Sequence, residues 1–189
     1  MSSASPAASD AALGPSSYIV LGFLAQYGPG TSYDLKRWAD ESVGYFWTFP
    51  RSQLYAEPQR LAALGLLEEA QEDGGRRRRT YSVTPAGKSA LEGWLTHPAG
   101  FPELRDLGLL KLFFSAQGNP YDLARLAAEQ LVLHRARLEE YEQICSLPPV
   151  SGAEVLPFSL GLPLRMGLLY ERASVAFWSE VLELNSAGA

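Results

Sequence analysis

A chain of 189 residues with one cysteine, Cys145, cannot close an internal disulfide. Its two histidines, His97 and His134, stand far apart with no carboxylate pattern around them, so no metal site is expected. No apolar run is long enough to span a bilayer. The opening MSSASPAASDAALGP lacks the basic start and apolar core of a signal peptide, and residues 1–15 read as a disordered tail. Neither a nucleophile–base pair nor a glycine-rich phosphate loop leading into a helix is present, so enzymatic activity and a cofactor are not expected either. These absences together fit a protein of the reducing cytoplasm, away from the membrane.

What the chain does have is apolar material. At 47% hydrophobic and 11% aromatic it can pack one ordinary domain or two small ones. The formal net charge of -5 hides an uneven distribution. Residues 1–97 carry nine Lys/Arg against ten Asp/Glu, whereas residues 98–189 carry seven against eleven. Such a chain is no general polyanion binder, so a nucleic-acid contact has to come from a local patch. One patch stands out, Gly74-Gly75-Arg76-Arg77-Arg78-Arg79. Four neighbouring guanidinium groups repel one another unless an anion answers them or water screens them. The readings are therefore a solvated loop or a grip on phosphate.

The order of elements favours the second. Ser17 before YIVLGFLAQY predicts a capped, buried helix that stops at Gly28-Pro29-Gly30. Thr31 and Asp34 have capping-box spacing and start a second helix, with Leu35, Trp38 and Ala39 on one face and an end near Gly44. A third helix begins at Thr48 or Ser52, carries Leu54, Leu61 and Leu64 inward, and stops at Gly65. Pro58 falls inside it, and its missing N–H predicts a kink unless the helix starts later. LLEEAQ and RTYSV then read as a two-stranded hairpin with the arginines at its tip and along the returning strand. Thr84-Pro85 starts a fourth helix bearing Leu91, Trp94 and Leu95.

The second half is helical throughout. Asp106 to Ser115 forms a short apolar helix, and Asn119-Pro120 opens a long one. In the long helix Ala124, Ala127, Leu131, His134, Leu138, Tyr141 and Cys145 recur at steps of three and four, a seam that requires a partner helix. The last helix repeats the rhythm at Leu164, Leu168, Glu171, Val175, Trp178 and Leu182. The fold class is mainly α: a winged helix-turn-helix with a two-stranded β-wing over residues 16–97, then an all-α dimerisation domain over 98–189. A wing tip needs glycines for its turn and forked guanidinium donors for phosphate oxygens, which explains the two-glycine, four-arginine order.

YIVLGFLAQYGPGTSYDLKR, FPRSQLYAEPQRLAALGLLEE and GGRRRRTYSVTPAGKSALEGWL resemble the PadR family of transcriptional regulators. The likeness lies in the Gly-x-x-Tyr-x-Leu start of the second helix, the Leu-Tyr of the third, and the Arg-x-Tyr-x-x-Thr-x-x-Gly exit from the wing. It covers residues 16–96 and departs from the family at Pro58 and Thr31. The helical remainder is similar in length and helix order to the larger C-terminal domain of members related to virulence gene activators. The resemblance implies a homodimer on a pseudo-palindromic double-stranded operator, acting as a repressor relieved by a small aromatic effector. By position it places Ser52, Gln53, Tyr55 and Gln59 in the recognition helix and Arg76, Arg77, Arg78 and Arg79 in the wing.

The residues themselves leave alternatives open. Gln53 and Gln59 suit base edges, Arg51 and Arg60 either contact phosphate or pair with Glu57, and Tyr55 either bonds a phosphate or buries its ring. Trp94 is the candidate effector contact. Leu131, Leu138, Leu168, Val175, Trp178 and Leu182 are expected at the dimer interface, Trp178 as its anchor. His134 either senses pH or is a hydrogen-bonded interface histidine, and Cys145 is expected to be buried and inert. The competing function is a winged helix for protein–protein contact, in which the arginines meet an acidic partner.

Overall fold

The computed structural model describes residues 13–50, 52–71, 78–146 and 158–187. Most of the expected tail, Arg51, and the hairpin tip with Arg76 and Arg77 lie outside the described residues. Two compact units divide the chain, one ending at Phe101 and the other starting at Pro102.

In the first unit α1 (Pro15–Tyr27) begins two residues before the expected cap. Proline at the first helical position fixes φ for a helix start, so Ser17 falls one turn inside, where its hydroxyl accepts the Gly14 N–H at 3.1 Å. α2 (Ser32–Asp40) has the predicted capping box: Thr31 Oγ1 accepts the Asp34 N–H and Asp34 Oδ2 accepts the Thr31 N–H. It ends short of Gly44, because the Ser42 hydroxyl bonds the Trp38 carbonyl and the chain turns into a short 3-10 helix at Val43–Tyr45.

α3 (Gln53–Ala63) runs through Pro58 without interruption. Leu54, Pro58 and Leu61 form its buried stripe, so the ring that removes a hydrogen bond adds apolar packing on the core side. Leu64, expected on that stripe, is the C-cap residue and is exposed, since Gly65 with φ of 72° turns the chain away. β1 (Leu67–Gln71) and β2 (Arg79–Val83) pair antiparallel, with Leu67 opposite Val83 and Glu69 opposite Tyr81. Gly30 exchanges two backbone hydrogen bonds with Tyr81, at 3.0 and 2.9 Å, which ties the α1–α2 connection to the wing. α4 (Pro85–Leu95) is capped by Thr84 and turns Leu91 inward, while Trp94 and Leu95 remain exposed.

Val20, Leu21, Leu24, Leu35, Leu54, Leu61, Leu67 and Tyr81 close one core from α1, α2, α3 and the hairpin. Two glycines make this closure sterically feasible. A Cβ on Gly30 would lie 2.6 Å from the Trp38 ring, and one on Gly87 would lie 2.2 Å from the Leu66 carbonyl oxygen. Both belong to the sequence patterns quoted above, and both mark places where backbone passes against a neighbour too closely for any side chain.

The second unit consists of α5 (Leu107–Phe113), α6 (Pro120–Ser146) and α7 (Phe158–Ala187). Asp106 caps α5 by accepting the Leu109 N–H at 3.0 Å. The seam of α6 finds its partner helix in the same chain: Ala127, Leu131 and Trp178 are buried between α6 and α7, with Val175 and Leu182 packed on them. Trp178 keeps 1% of its surface and is packed within the chain, between α6 and α7. Leu131 is likewise buried within the chain, whereas Leu138 and Leu168 are half-buried. Glu171, a charge in an otherwise apolar seam, pairs with His134, whose Nδ1 lies 2.6 Å from its Oε2. Cys145 is exposed, contrary to expectation, because the half-buried Ile144 takes the inward position at that turn of α6.

Candidate nucleic-acid interface

α3 turns one face to the core and the other to solvent. With Leu54, Pro58 and Leu61 inward, Ser52, Gln53, Tyr55 and Gln59 are exposed, as a helical period of 3.6 requires. Tyr55 is 50% exposed, so its ring is available at the surface and is not sealed under α2.

Behind this face a polar clamp fixes α3 to the start of α1. The buried Ser17 hydroxyl donates to Glu57 Oε1 at 2.6 Å and accepts from the Arg60 guanidinium at 3.0 Å. Arg60 closes a two-pronged contact on Glu57, at 3.0 and 2.7 Å. The Arg60 hydrogen bonds hold the Glu57 carboxyl below its ordinary pKa against the opposing effect of burial, with Ser17 adding to the stabilisation. Of the two uses expected for Arg60, the structure adopts the pairing with Glu57. Ser16 also hydrogen-bonds Gln53 across the same junction.

The returning strand brings arginine to the same side. Thr31, Ser32, Tyr33, Tyr55, Gln59, Arg78, Arg79 and Tyr81 line one open concavity of about 660 Å³ between the α2 N-terminus, α3 and the wing. Arg78 and Arg79 remain half-exposed, and each has a carboxylate behind it: Arg78 lies 3.6 Å from Asp34 and Arg79 lies 3.4 Å from Glu69. Asp34 is held ionised below its ordinary range by the Thr31 hydroxyl, then by the Thr31 N–H, with Arg37 and Arg78 adding favourable charge. The buried Tyr81 phenol is pushed up, by burial first and by the adjacent Glu69 carboxylate second. Forked donors, three phenols and an amide around one concavity are the groups that suit phosphate oxygens and base edges.

Gln59, Tyr55, Arg78 and Arg79 come together here, whereas Ser52 and Gln53 lie toward the first turn of α3, and Arg51, Arg76 and Arg77 lie outside the described residues. Ser32 and Tyr33 were not singled out from sequence. The Gly-x-x-Tyr-x-Leu pattern contains both, but its spacing predicts only the Thr31 cap, and the place of this segment beside the wing depends on the Gly30–Tyr81 pairing. Trp94 is 43% exposed with its ring stacked on Tyr18 at 4.6 Å and 8° between planes. Among the described residues no cluster of His, Cys, Asp or Glu could hold a metal ion, and no helix is long and apolar enough to cross a membrane.

Residues 20–93 match the sequence pattern described as the transcriptional regulator PadR-like family, and residues 104–185 match that of the virulence activator alpha C-term. The Negative transcriptional regulator PadR of Bacillus subtilis is 28% identical over 149 residues, covering 75% of this chain and 79% of the relative. The crystal structure of Bacillus subtilis PadR in complex with operator DNA superposes with a TM-score of 0.78 at 25% identity, covering 89% of this chain and 98% of that one. The crystal structure of Bacillus subtilis PadR in complex with p-coumaric acid gives 0.73 at 26% identity over 93% and 99%. The matched family consists of transcriptional regulators, not enzymes.

Proposed function

We propose that this chain, which belongs to the PadR-like family of transcriptional regulators, binds operator DNA as a homodimer, represses transcription, and is released by a small aromatic effector. α3 enters the major groove with Gln53, Tyr55 and Gln59 at its exposed face, and the wing lays Arg78 and Arg79 on the adjoining phosphates. The observation that carries this reading is the single concavity on which recognition-helix and wing side chains both open. The relative solved with operator DNA supports it at the level of fold and partner.

The dimer rests on a different feature. Leu107, Leu110, Phe113 and Phe114 of the α5 segment are 65%, 54%, 80% and 57% exposed, a continuous apolar stripe that a single chain leaves in water. Stripes of that kind mark protein interfaces, and a second copy covers it while presenting the second recognition helix that a pseudo-palindrome requires. The negative regulator in Bacillus subtilis supports repression, and its p-coumaric acid complex supports a planar aromatic acid as effector class, with Trp94 and the stacked Tyr18 as the aromatic surface offered.

Selection of bound duplexes from a random-sequence library, followed by salt titration of the winner, tests the proposal. The logarithm of affinity should fall steeply with the logarithm of salt concentration. Arg78→Ala and Arg79→Ala should each flatten that slope by about 0.9 or less while weakening all duplexes alike. Gln53→Ala should change the preferred bases instead. A library from which no sequence is enriched, with binding only to acidic proteins, would turn the reading into the protein-contact alternative.

A further inference from the structure

The proposed phosphate grip contains a feature that works against it. The two described wing arginines are not free cations: Arg78 is backed by Asp34 of α2, and Arg79 by Glu69 of β1. Neither carboxylate can swing away easily. Asp34 Oδ2 accepts both the Thr31 N–H at 3.0 Å and the Thr31 hydroxyl at 2.7 Å, and its Oδ1 accepts from Arg37 at 3.2 Å. Glu69 sits opposite Tyr81 in the strand register, and its carboxylate hydrogen-bonds the buried Tyr81 phenol. A phosphate oxygen held by either guanidinium would lie within about 8 Å, one Debye length at physiological ionic strength, of a fixed negative charge.

We propose that Asp34 and Glu69 are specificity-determining residues that restrain the wing arginines, weakening their grip on arbitrary DNA more than on the operator. The inference rests on the DNA-binding reading above and deepens it. Phosphate attraction supplies nearly all of non-specific binding, whereas operator binding adds base contacts. In a loosely seated complex the phosphates approach from many positions and must draw the arginines off their carboxylates. In the seated complex α3 fixes the backbone, so a phosphate can take the guanidinium N–H groups that point away from the carboxylate, and the pair need not break. Arginine suits this double use because its five donors lie in a rigid fork. The same pairing limits counterion release, because a carboxylate that loses its arginine recovers a cation from solution.

The test compares the full chain with Glu69→Gln and Asp34→Asn on two duplexes, the sequence enriched from the random library and a scrambled version of it, across a salt series. Glu69→Gln changes an exposed hairpin position, and Asp34→Asn retains an acceptor for the Thr31 N–H, with thermal melting as the control for folding. Exposed ion pairs are weak, so each variant should tighten binding to the scrambled duplex by about two- to fivefold, with a smaller gain on the operator and a steeper salt dependence. No change, an equal gain on both duplexes, or a loss on either would overturn the inference. Wild-type chain that holds neither duplex at low salt overturns the DNA reading and the inference together, whereas wild-type binding with an unmoved ratio in the variants overturns the inference alone.

Discussion

The two units differ in how much of their apolar material they bury. In the first, Val20, Leu21, Leu35, Leu54 and Leu61 are at most 1% exposed, and the polar groups that enter the core, such as Ser17, find partners there. In the second, the buried cluster among the described residues consists of Ala127, Leu131 and Trp178, while Leu107, Leu110, Phe113, Val132 and Leu133 are each more than half exposed. A domain of either size needs its apolar surface covered to offset chain entropy. The first unit closes a broad core of its own, although Tyr33, Phe46 and Leu95 stay exposed, and the second holds a small core that a second copy is proposed to extend.

Trp178 provides the largest test of that contrast. Among the described residues it is the one large side chain fully buried between α6 and α7, so Trp178→Ala should cost about 3–5 kcal/mol, with the loss confined to the second unit. Amide exchange followed residue by residue should show α6 and α7 opening while α1 and α3 keep their protection. Equal loss of protection in α1 would mean that the units do not stand on separate cores.

Phe113→Asp should have a smaller effect of a different kind. At 80% exposure Phe113 contributes little to folding of one chain, so the variant should melt almost as the parent does when both are monomeric. If the α5 stripe is the interface, the substitution acts on both copies and should raise the dimer dissociation constant by about tenfold or more, near 1.4 kcal/mol. Sedimentation equilibrium reads this directly. An unmoved monomer–dimer balance would leave the α5 stripe without its proposed cover.

The sequence made the first unit legible because its signals are local and mutually consistent. The Thr31–Asp34 box, Thr84-Pro85 and the alternation in RTYSV each fix a start or a period within a few residues. Pro15 misled the placement of the first cap because a helix start can be set by proline as well as by serine. The site was harder to read, since the approach of Thr31, Ser32 and Tyr33 to the wing depends on a bridge between Gly30 and Tyr81, 51 positions apart. In the second unit the three-four rhythm matches the seam at Ala127, Leu131 and Trp178 but not at Cys145, and periodicity carries no information about whether the facing helix belongs to the same chain or to another. Trp178 finds packing partners within its own chain.

The smallest test concerns the polar clamp that distinguishes the first unit, the Ser17–Glu57–Arg60 contact between α1 and α3. Glu57 is held below its ordinary pKa by Arg60, so the unfolded chain takes up its proton at higher pH than the folded one does. Its contribution is therefore fully present above the ordinary carboxylate range and is lost as pH falls through the depressed folded value. Glu57→Gln removes that dependence, because the amide does not titrate. The variant should be about 1 kcal/mol less stable at neutral pH, a modest figure because solvent screens Arg60, and should converge on the parent as the solution is acidified. Melting temperatures measured from neutral to acid pH decide it: parallel curves would show that Glu57 supports α3 by packing, and converging curves that its charge holds α3 to α1.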